Sequence, residues 1–315
     1  MRLQMNRSTL KSIKRNPRFK AVFVLGARHS GVSLLTSLLS KYYNMNRVGL
    51  SQFSLQFRPA VYLNDAWDEY AISEERLIDS IIQNLLPETF KDRLNLSPNT
   101  KEIFKRLQKK DLEGVFEVLM ESAIGSQGNA EYCIDTVHRY SSAEFLKEAF
   151  PSGRFIHIIR DGRDIALTDF RFPGNLKNWA FSALKWKHGI DTSLQFSQSL
   201  PQERFAEVRY EDLLSAPQIV LERLRNFLGI SDKKGKIRQR INCEVQNDLP
   251  LDYPAMWKRR LSLQDRIAFE RVAAEELARY GYETFTQSAQ LPRLIEPAFW
   301  DAPDHLKSEA EILAV

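Results

Sequence analysis

The chain has 315 residues with 43% hydrophobic content, enough for one large α/β domain or two small ones. Its formal net charge of +5 and pI of about 9.1 suit an anionic ligand without demanding nucleic acid. Two cysteines, Cys133 and Cys243, make no disulfide framework and have no His/Cys companions at metal spacing, which points to a reduced, cytoplasmic setting. No apolar run approaches the ~18 residues of a membrane span.

Residues 1–19 read as a basic, flexible arm. Arg2, Arg7, Lys11, Lys14, Arg15 and Arg18, with Lys20 just beyond, face no acidic residue in this stretch, and no apolar h-region marks a secretory signal. Such an arm is a solvated segment with at most weak attraction to anionic surfaces.

Ala21 to Leu25 is an apolar run with two valines, as in a buried parallel strand. Gly26 to Gly31 is a short loop of small and polar residues. Val32 to Tyr42 follows as a helix with Leu34, Leu35, Leu38 and Leu39 on one stripe. Strand, glycine-bearing loop and helix make a natural cradle for a phosphate-like anion, because loop amides and the helix N-terminus both present positive potential. Arg28 and His29 add mobile donors, and Ser30 and Ser33 add hydroxyls. The loop has no lysine and no Gly-Lys-Ser/Thr ending, so it is not a Walker loop. An ordinary strand-to-helix turn would look much the same.

The stretch from about 41 to 130 reads as a helical insertion between the first and second strands. Helices are predicted from Ser73 through Leu85, over Phe104 to Leu107 and over Leu112 to Ala123. Glu131 to Asp135 is a short second strand, and Ser141 opens a helix ending near Phe150. Arg154 to Arg160 is a strand rich in Phe and Ile, followed by Asp161-Gly-Arg-Asp164 and a helix from about Ile165. Asn175 to Ser199 reads as one long helix. Trp179 and Trp186 lie seven apart on it, a spacing that favours core packing. Phe205 to Arg209 is a further strand. Pro217 leads a helix over Ile219 to Leu228, closed by Gly229, and Ser262 caps a helix through Ala278, ended by Gly281. Residues 284–315 lose all pattern and read as a tail.

Parallel strands bring their carboxyl ends to one edge. That edge would carry three polar strand ends, Arg28-His-Ser30, Arg160-Asp-Gly-Arg163 and Arg209-Tyr210, and two separate arginine-bearing anion sites among them suit a ligand with two separated anionic groups. Arg160 and Tyr210 also admit structural readings, Arg160 as the ion-pair partner of Asp161 or Asp164.

These segments resemble the sulfotransferases that use 3′-phosphoadenosine-5′-phosphosulfate, in particular bacterial enzymes related to the protein-tyrosine and carbohydrate sulfotransferases. Gly26-Ala-Arg-His-Ser-Gly-Val-Ser33 resembles the 5′-phosphosulfate loop. Phe155 to Thr168 resembles the 3′-phosphate segment, Arg209-Tyr-Glu-Asp-Leu213 the family's Arg-Tyr-Glu-Asp-Leu module, and Trp257-Lys-Arg-Arg-Leu261 its late basic element. The order holds over about 20–283. The fold implied is α/β, a P-loop-like central parallel sheet flanked by helices, with a helical insertion over the carboxyl edge of the strands.

The resemblance implies a sulfuryl transfer to a hydroxyl or amine of a carbohydrate or small natural product, without a metal. Gly26, Arg28, His29, Ser30, Gly31, Val32 and Ser33 would surround the phosphosulfate. Arg160 and Thr168 would hold the 3′-phosphate, Tyr210 would lie near the adenine or ribose, and Lys258, Arg259 or Arg260 would close over the nucleotide. Arg28, with His29, would stabilise the leaving phosphate and the sulfuryl oxygens. His29, Asp135 and His138 are the candidates for the base. Departures stand at His29, at Val32 in place of a threonine, and at Asp135, where the family often has a cation. A degenerate nucleotide-binding homologue and a P-loop kinase-like phosphotransferase are the alternatives. A nucleic-acid-binding module is disfavoured, since the arm is the sole dense cationic cluster. Acceptor and oligomeric state are not legible.

Overall fold

The computed structural model describes residues 19–48, 118, 131–138, 140–169, 178–250 and 254–284. The basic arm up to residue 18, the tail from residue 285 and all but Val118 of the three helices predicted in the insertion lie outside these residues. Val118 is helical and buried.

Five strands form one parallel sheet: β1 (Lys20–Leu25), β2 (Met45–Arg47), β3 (Tyr132–Val137), β4 (Arg154–Ile159) and β5 (Phe205–Arg209), in the order β2-β3-β1-β4-β5. The predicted start of the insertion is therefore corrected at 45–47. This short segment is an edge strand, paired to β3 through Met45↔Tyr132 and Arg47↔Ile134. The strand read over 131–135 runs on to Val137, because Thr136 and Val137 continue the ladder opposite Val24 and Leu25.

Alternation divides the sheet into two faces. Val22, Val24, Ile134, Ile156 and Ile158 face one layer. It is built by α1 (Val32–Tyr43), α6 (Pro217–Leu228) and α7 (Lys236–Asp248), which contribute Leu35, Leu38, Leu39, Leu221, Leu224, Ile241 and Val245. On the opposite face Phe23 stacks on Phe155 at 5.2 Å, and Phe196 of α4 (Trp179–Gln198) meets Phe155 edge-on. Ile159 joins Trp186, Ile190, Phe269 and Leu277 there, from α4 and α9 (Leu263–Arg279). α2 (Tyr140–Ala149) lies against β3 and α4.

Local signals explain the ends. Asn178 caps α4 by accepting the Phe181 amide, so the long helix starts there rather than at 175. Ser262 and Asp265 form a capping box on α9. Gly229 closes α6 in the left-handed region at φ 66°. α3 (Gly162–Asp169) begins three residues earlier than the pattern predicts, because Asp161 accepts the Arg163 amide at 2.9 Å and starts the helix itself. Two further helices among the described residues are short, α5 (Tyr210–Ser215) and α8 (Trp257–Arg260).

The order has one consequence for function. After β1 the chain builds β2 and β3 on one side, then crosses to β4 and β5 on the other. The crevice at the carboxyl end of β1 is the switch point, where open α/β sheets take ligands.

Candidate active site at the switch point

The loop after β1 is held by close backbone approach. A Cβ on Gly26 would stand 2.5 Å from Ser30 Oγ and 2.8 Å from the Ile158 carbonyl. Ser30 is buried, and its hydroxyl donates to the Ala27 carbonyl at 2.7 Å. Its proton is thus committed to the turn rather than offered to a ligand. His29 adopts φ 64° and Gly31 φ 99°. Gly31 is the N-cap of α1 and lies on Tyr210, where a Cβ would stand 2.4 Å from the ring. No side chain caps α1 and no acid occupies its first turn, so its leading amides keep their positive potential for an external anion. Val32 is buried in the core cluster with Val24 and Leu35, and its side chain also packs on the loop, where a Cβ on Gly26 would meet Val32 Cγ2 at 2.8 Å. Arg28 and Ser33 are exposed.

Arg160 stands at the end of β4, 7% exposed. Its Nη1 donates to the His29 carbonyl at 3.0 Å, and its guanidinium lies 4.4 Å from the centre of the buried Tyr210 ring. One arginine thereby ties the loop to β5's end. Arg160 acts on Asp164 electrostatically and draws its pKa down, while the side-chain hydrogen bonds of the two acids go to other groups. Asp161 takes the Arg163 guanidinium through both oxygens, at 2.8 and 3.0 Å. Asp164 accepts the Ala255 and Trp257 amides, each at 2.8 Å.

His138 follows β3 and sets Nδ1 3.3 Å from the Gly26 carbonyl. Desolvation pulls its pKa below the ordinary histidine value, the carbonyl contact opposes this, and the neighbouring Arg28 and His29 side chains lower it further. A neutral ring that donates Nδ1–H to Gly26 presents Nε2 as an acceptor. Asp135 stands differently. It lies inside β3 opposite Phe23, 2% exposed, and accepts the Thr136 amide at 2.7 Å. The reading of Asp135 as a strand-end group is corrected by the two further residues of ladder.

His29 has a partner with no counterpart in the sequence reading. Its Nε2 lies 3.1 Å from Asp169 Oδ1, at the end of α3. Thr168, half-buried, donates to the Asp164 carbonyl one turn back. Lys258, Arg259 and Arg260 are exposed on α8, and Lys258 pairs with Glu283.

Behind the crevice lies a buried ionic layer. Arg163, with no exposure, also bonds Glu270 at 2.7 Å and the Glu283 carbonyl at 2.8 Å, and its guanidinium lies 3.5 Å from the centre of Trp257. Glu211 accepts the Asp161 amide and the Tyr282 hydroxyl, both at 3.0 Å. Burial pushes Asp164 up to about 6 and raises Glu211 as well. For Asp164 the native state therefore gains protons relative to the unfolded chain. Its contribution to stability is greatest in acid and is lost as pH rises through about 6.

The loop, Arg160, Tyr210 and His138 are thus joined by direct contacts, while Thr168 and α8 both meet Asp164, on which Arg160 acts electrostatically. Asp169 and Glu211 were missed as site-building residues, Asp164 entered only as a possible partner of Arg160, and Arg163, read as part of an anion site, is instead buried in ion pairs with Asp161 and Glu270. Their contacts join distant segments and leave no periodic mark in the sequence. Among the described residues, no group of three or more His, Cys, Asp or Glu could hold a metal, and no helix is long and apolar enough to cross a membrane.

A family model described as the sulfotransferase family matches residues 21–234, more than half of the chain. The chain is 26% identical to protein-tyrosine sulfotransferase A of Caenorhabditis elegans over 182 residues, 53% of this chain and 45% of that protein. It is 25% identical to the omega-hydroxy-beta-dihydromenaquinone-9 sulfotransferase of Mycobacterium bovis over 228 residues, 67% of this chain and 53% of that protein. The chain therefore spans about half the length of these relatives. The sulfotransferase domain of the Synechococcus PCC 7002 olefin synthase aligns with 90% of this chain and 98% of its own, at TM-score 0.49 and 19% identity.

Proposed function

The chain belongs to the sulfotransferase family, and from that premise we propose that it moves a sulfuryl group from 3′-phosphoadenosine-5′-phosphosulfate to a hydroxyl or amine of a small-molecule or carbohydrate acceptor. The observation that carries this reading is the placement of Arg160. It sits beside the uncapped N-terminus of α1, bonded to the His29 carbonyl and stacked on Tyr210. A helix terminus, a buried guanidinium and an aromatic ring in one crevice suit a ligand with two anionic groups and a base.

The residues fit the donor. The leading amides of α1 and the exposed Arg28 and Ser33 would take the phosphosulfate, Arg160 and Thr168 the 3′-phosphate, and Tyr210 the nucleoside. When bound, the donor supplies the sulfuryl group and leaves as adenosine 3′,5′-bisphosphate. Arg28 neutralises charge as it grows on the departing phosphate oxygen. We assign the base to His138. Its Nδ1–H donates to Gly26, its depressed pKa keeps it neutral at pH 7, and Nε2 takes the acceptor's proton. His29 serves orientation, anchored by Asp169 at the ring and Arg160 at the carbonyl. Asp135 is too enclosed to receive that proton. A phosphotransferase of the P-loop kinase type is disfavoured by the loop, which offers no lysine to the phosphates.

Donor labelled in the sulfuryl group tests the reading. The label is expected on an acceptor hydroxyl or amine, with one bisphosphate released per transfer. Binding of ATP or GTP in preference to the bisphosphate would overturn it.

A further inference from the structure

The segment leading into α8 is held in a way its own sequence does not favour. Ala255 adopts φ 62°, a left-handed conformation strained for alanine. Its amide and that of Trp257 both bond the carboxylate of Asp164, one to each oxygen at 2.8 Å. Asp164 is 2% exposed. Trp257 is buried against the Arg163 guanidinium, and Arg266 donates to the Lys258 carbonyl. Every one of these anchors grips the backbone or Trp257. The side chains of Lys258, Arg259 and Arg260 stay on the surface, with Lys258 in an exposed pair to Glu283 that binds weakly.

Apart from Arg266, the anchors come from the first turn of α3, directly after Arg160, whose own carbonyl is fixed by Trp186 Nε1 at 3.1 Å. Within Arg160-Asp-Gly-Arg-Asp164, Asp161 starts the helix and holds Arg163. Gly162 admits the Trp186 ring, which a Cβ would meet at 2.5 Å. Arg163 seats Trp257, and Asp164 clamps the strained turn. Both oxygens of this buried carboxylate accept backbone amides of the turn that leads into the cationic helix, and Arg160 acts on the same charge, so the carboxylate links the turn's register to that arginine.

We infer that Asp164 is a positioning residue, clamping the Ala255–Trp257 turn so that the cations at 258–260 stand in fixed register with Arg160 for the donor's phosphates. This rests on the donor reading given above. Its test is the affinity of the full chain for adenosine 3′,5′-bisphosphate, measured by calorimetry. Asp164→Asn presents an amide NH₂ toward one of the two N–H donors, so it is expected to raise Kd at least ~tenfold, with the circular dichroism of the parent kept. The triple variant Lys258→Ala/Arg259→Ala/Arg260→Ala is expected to raise Kd comparably. Adding Asp164→Asn to that triple should change Kd by less than about twofold, because the clamp acts through those cations. Ala255→Gly, which removes the strain, should recover part of the loss in Asp164→Asn.

A second measurement needs no variant. Coupling is reciprocal, so bisphosphate should slow hydrogen exchange at the Ala255 and Trp257 amides several-fold. Parent-like affinity in Asp164→Asn, independent effects of the two sets of substitutions, or unchanged exchange at those amides would overturn the clamp while leaving the donor reading intact. A parent chain that ignores the bisphosphate would overturn both.

Discussion

Two turns sit side by side on the sheet edge, each leading from a strand into a helix, and they use the helix N-terminus in opposite ways. After β1, Gly31 caps α1 with no side chain and no acid follows in the first turn. After β4, Asp161 accepts the Arg163 amide, and Asp164 stands in the first turn of α3. The first terminus keeps its positive end for something outside the chain. The second is filled by the chain's own carboxylates, which in turn hold Arg163, Trp257 and the backbone at 255–257. The same local geometry is thus left open at α1 and filled as scaffolding at α3, depending on whether the sequence satisfies it from within.

That contrast predicts stability defects at the second turn and binding or rate defects around the first. Arg163→Met should have the largest effect. It leaves Asp161 and Glu270 buried without their cation, at a cost of about 3–5 kcal/mol read as a lowered denaturant midpoint. His138→Asn should lower kcat by ~10²–10⁴-fold with little change in stability. In the parent, kcat/KM should rise with pH through a group below the ordinary histidine value of about 6.5, and the variant should lose that limb. Arg160→Ala should weaken bisphosphate binding by about 1.5–3 kcal/mol, roughly 10- to 100-fold. Val32→Thr is the smallest change. It restores a hydroxyl by sequence but buries it beside Val24 and Leu35, so we expect about 1 kcal/mol of destabilisation and no gain in affinity. A tighter-binding Val32→Thr would blur the distinction between the cradle's backbone and its side chains.

Much of this layout was legible in the residues. β1, β4 and β5 announce themselves as apolar runs, and Arg160 and Tyr210 follow from their places just past strand ends. Other parts left little mark. β2 has three mixed residues, and its pairing to β3 comes from backbone groups. α7 buries only Ile241 and Val245, too thin a stripe to stand out from a polar segment. Asp135 was misplaced because the ladder carries on through Thr136 and Val137, a matter of pairing to β1 that composition does not encode. The contacts of Asp169 with His29 and of Asp164 with the 255–257 backbone join segments far apart in the chain. Periodicity cannot reveal such pairs.

We propose that the crevice between the open α1 terminus and Arg160 takes the donor nucleotide. Thermal unfolding of the full chain with adenosine 3′,5′-bisphosphate, and with ATP and GTP in parallel, tests it most directly. At ~100 times its Kd the bisphosphate should add about 2.7 kcal/mol of stability, with or without magnesium. No shift with the bisphosphate, alongside a magnesium-dependent shift with ATP or GTP, would contradict the account.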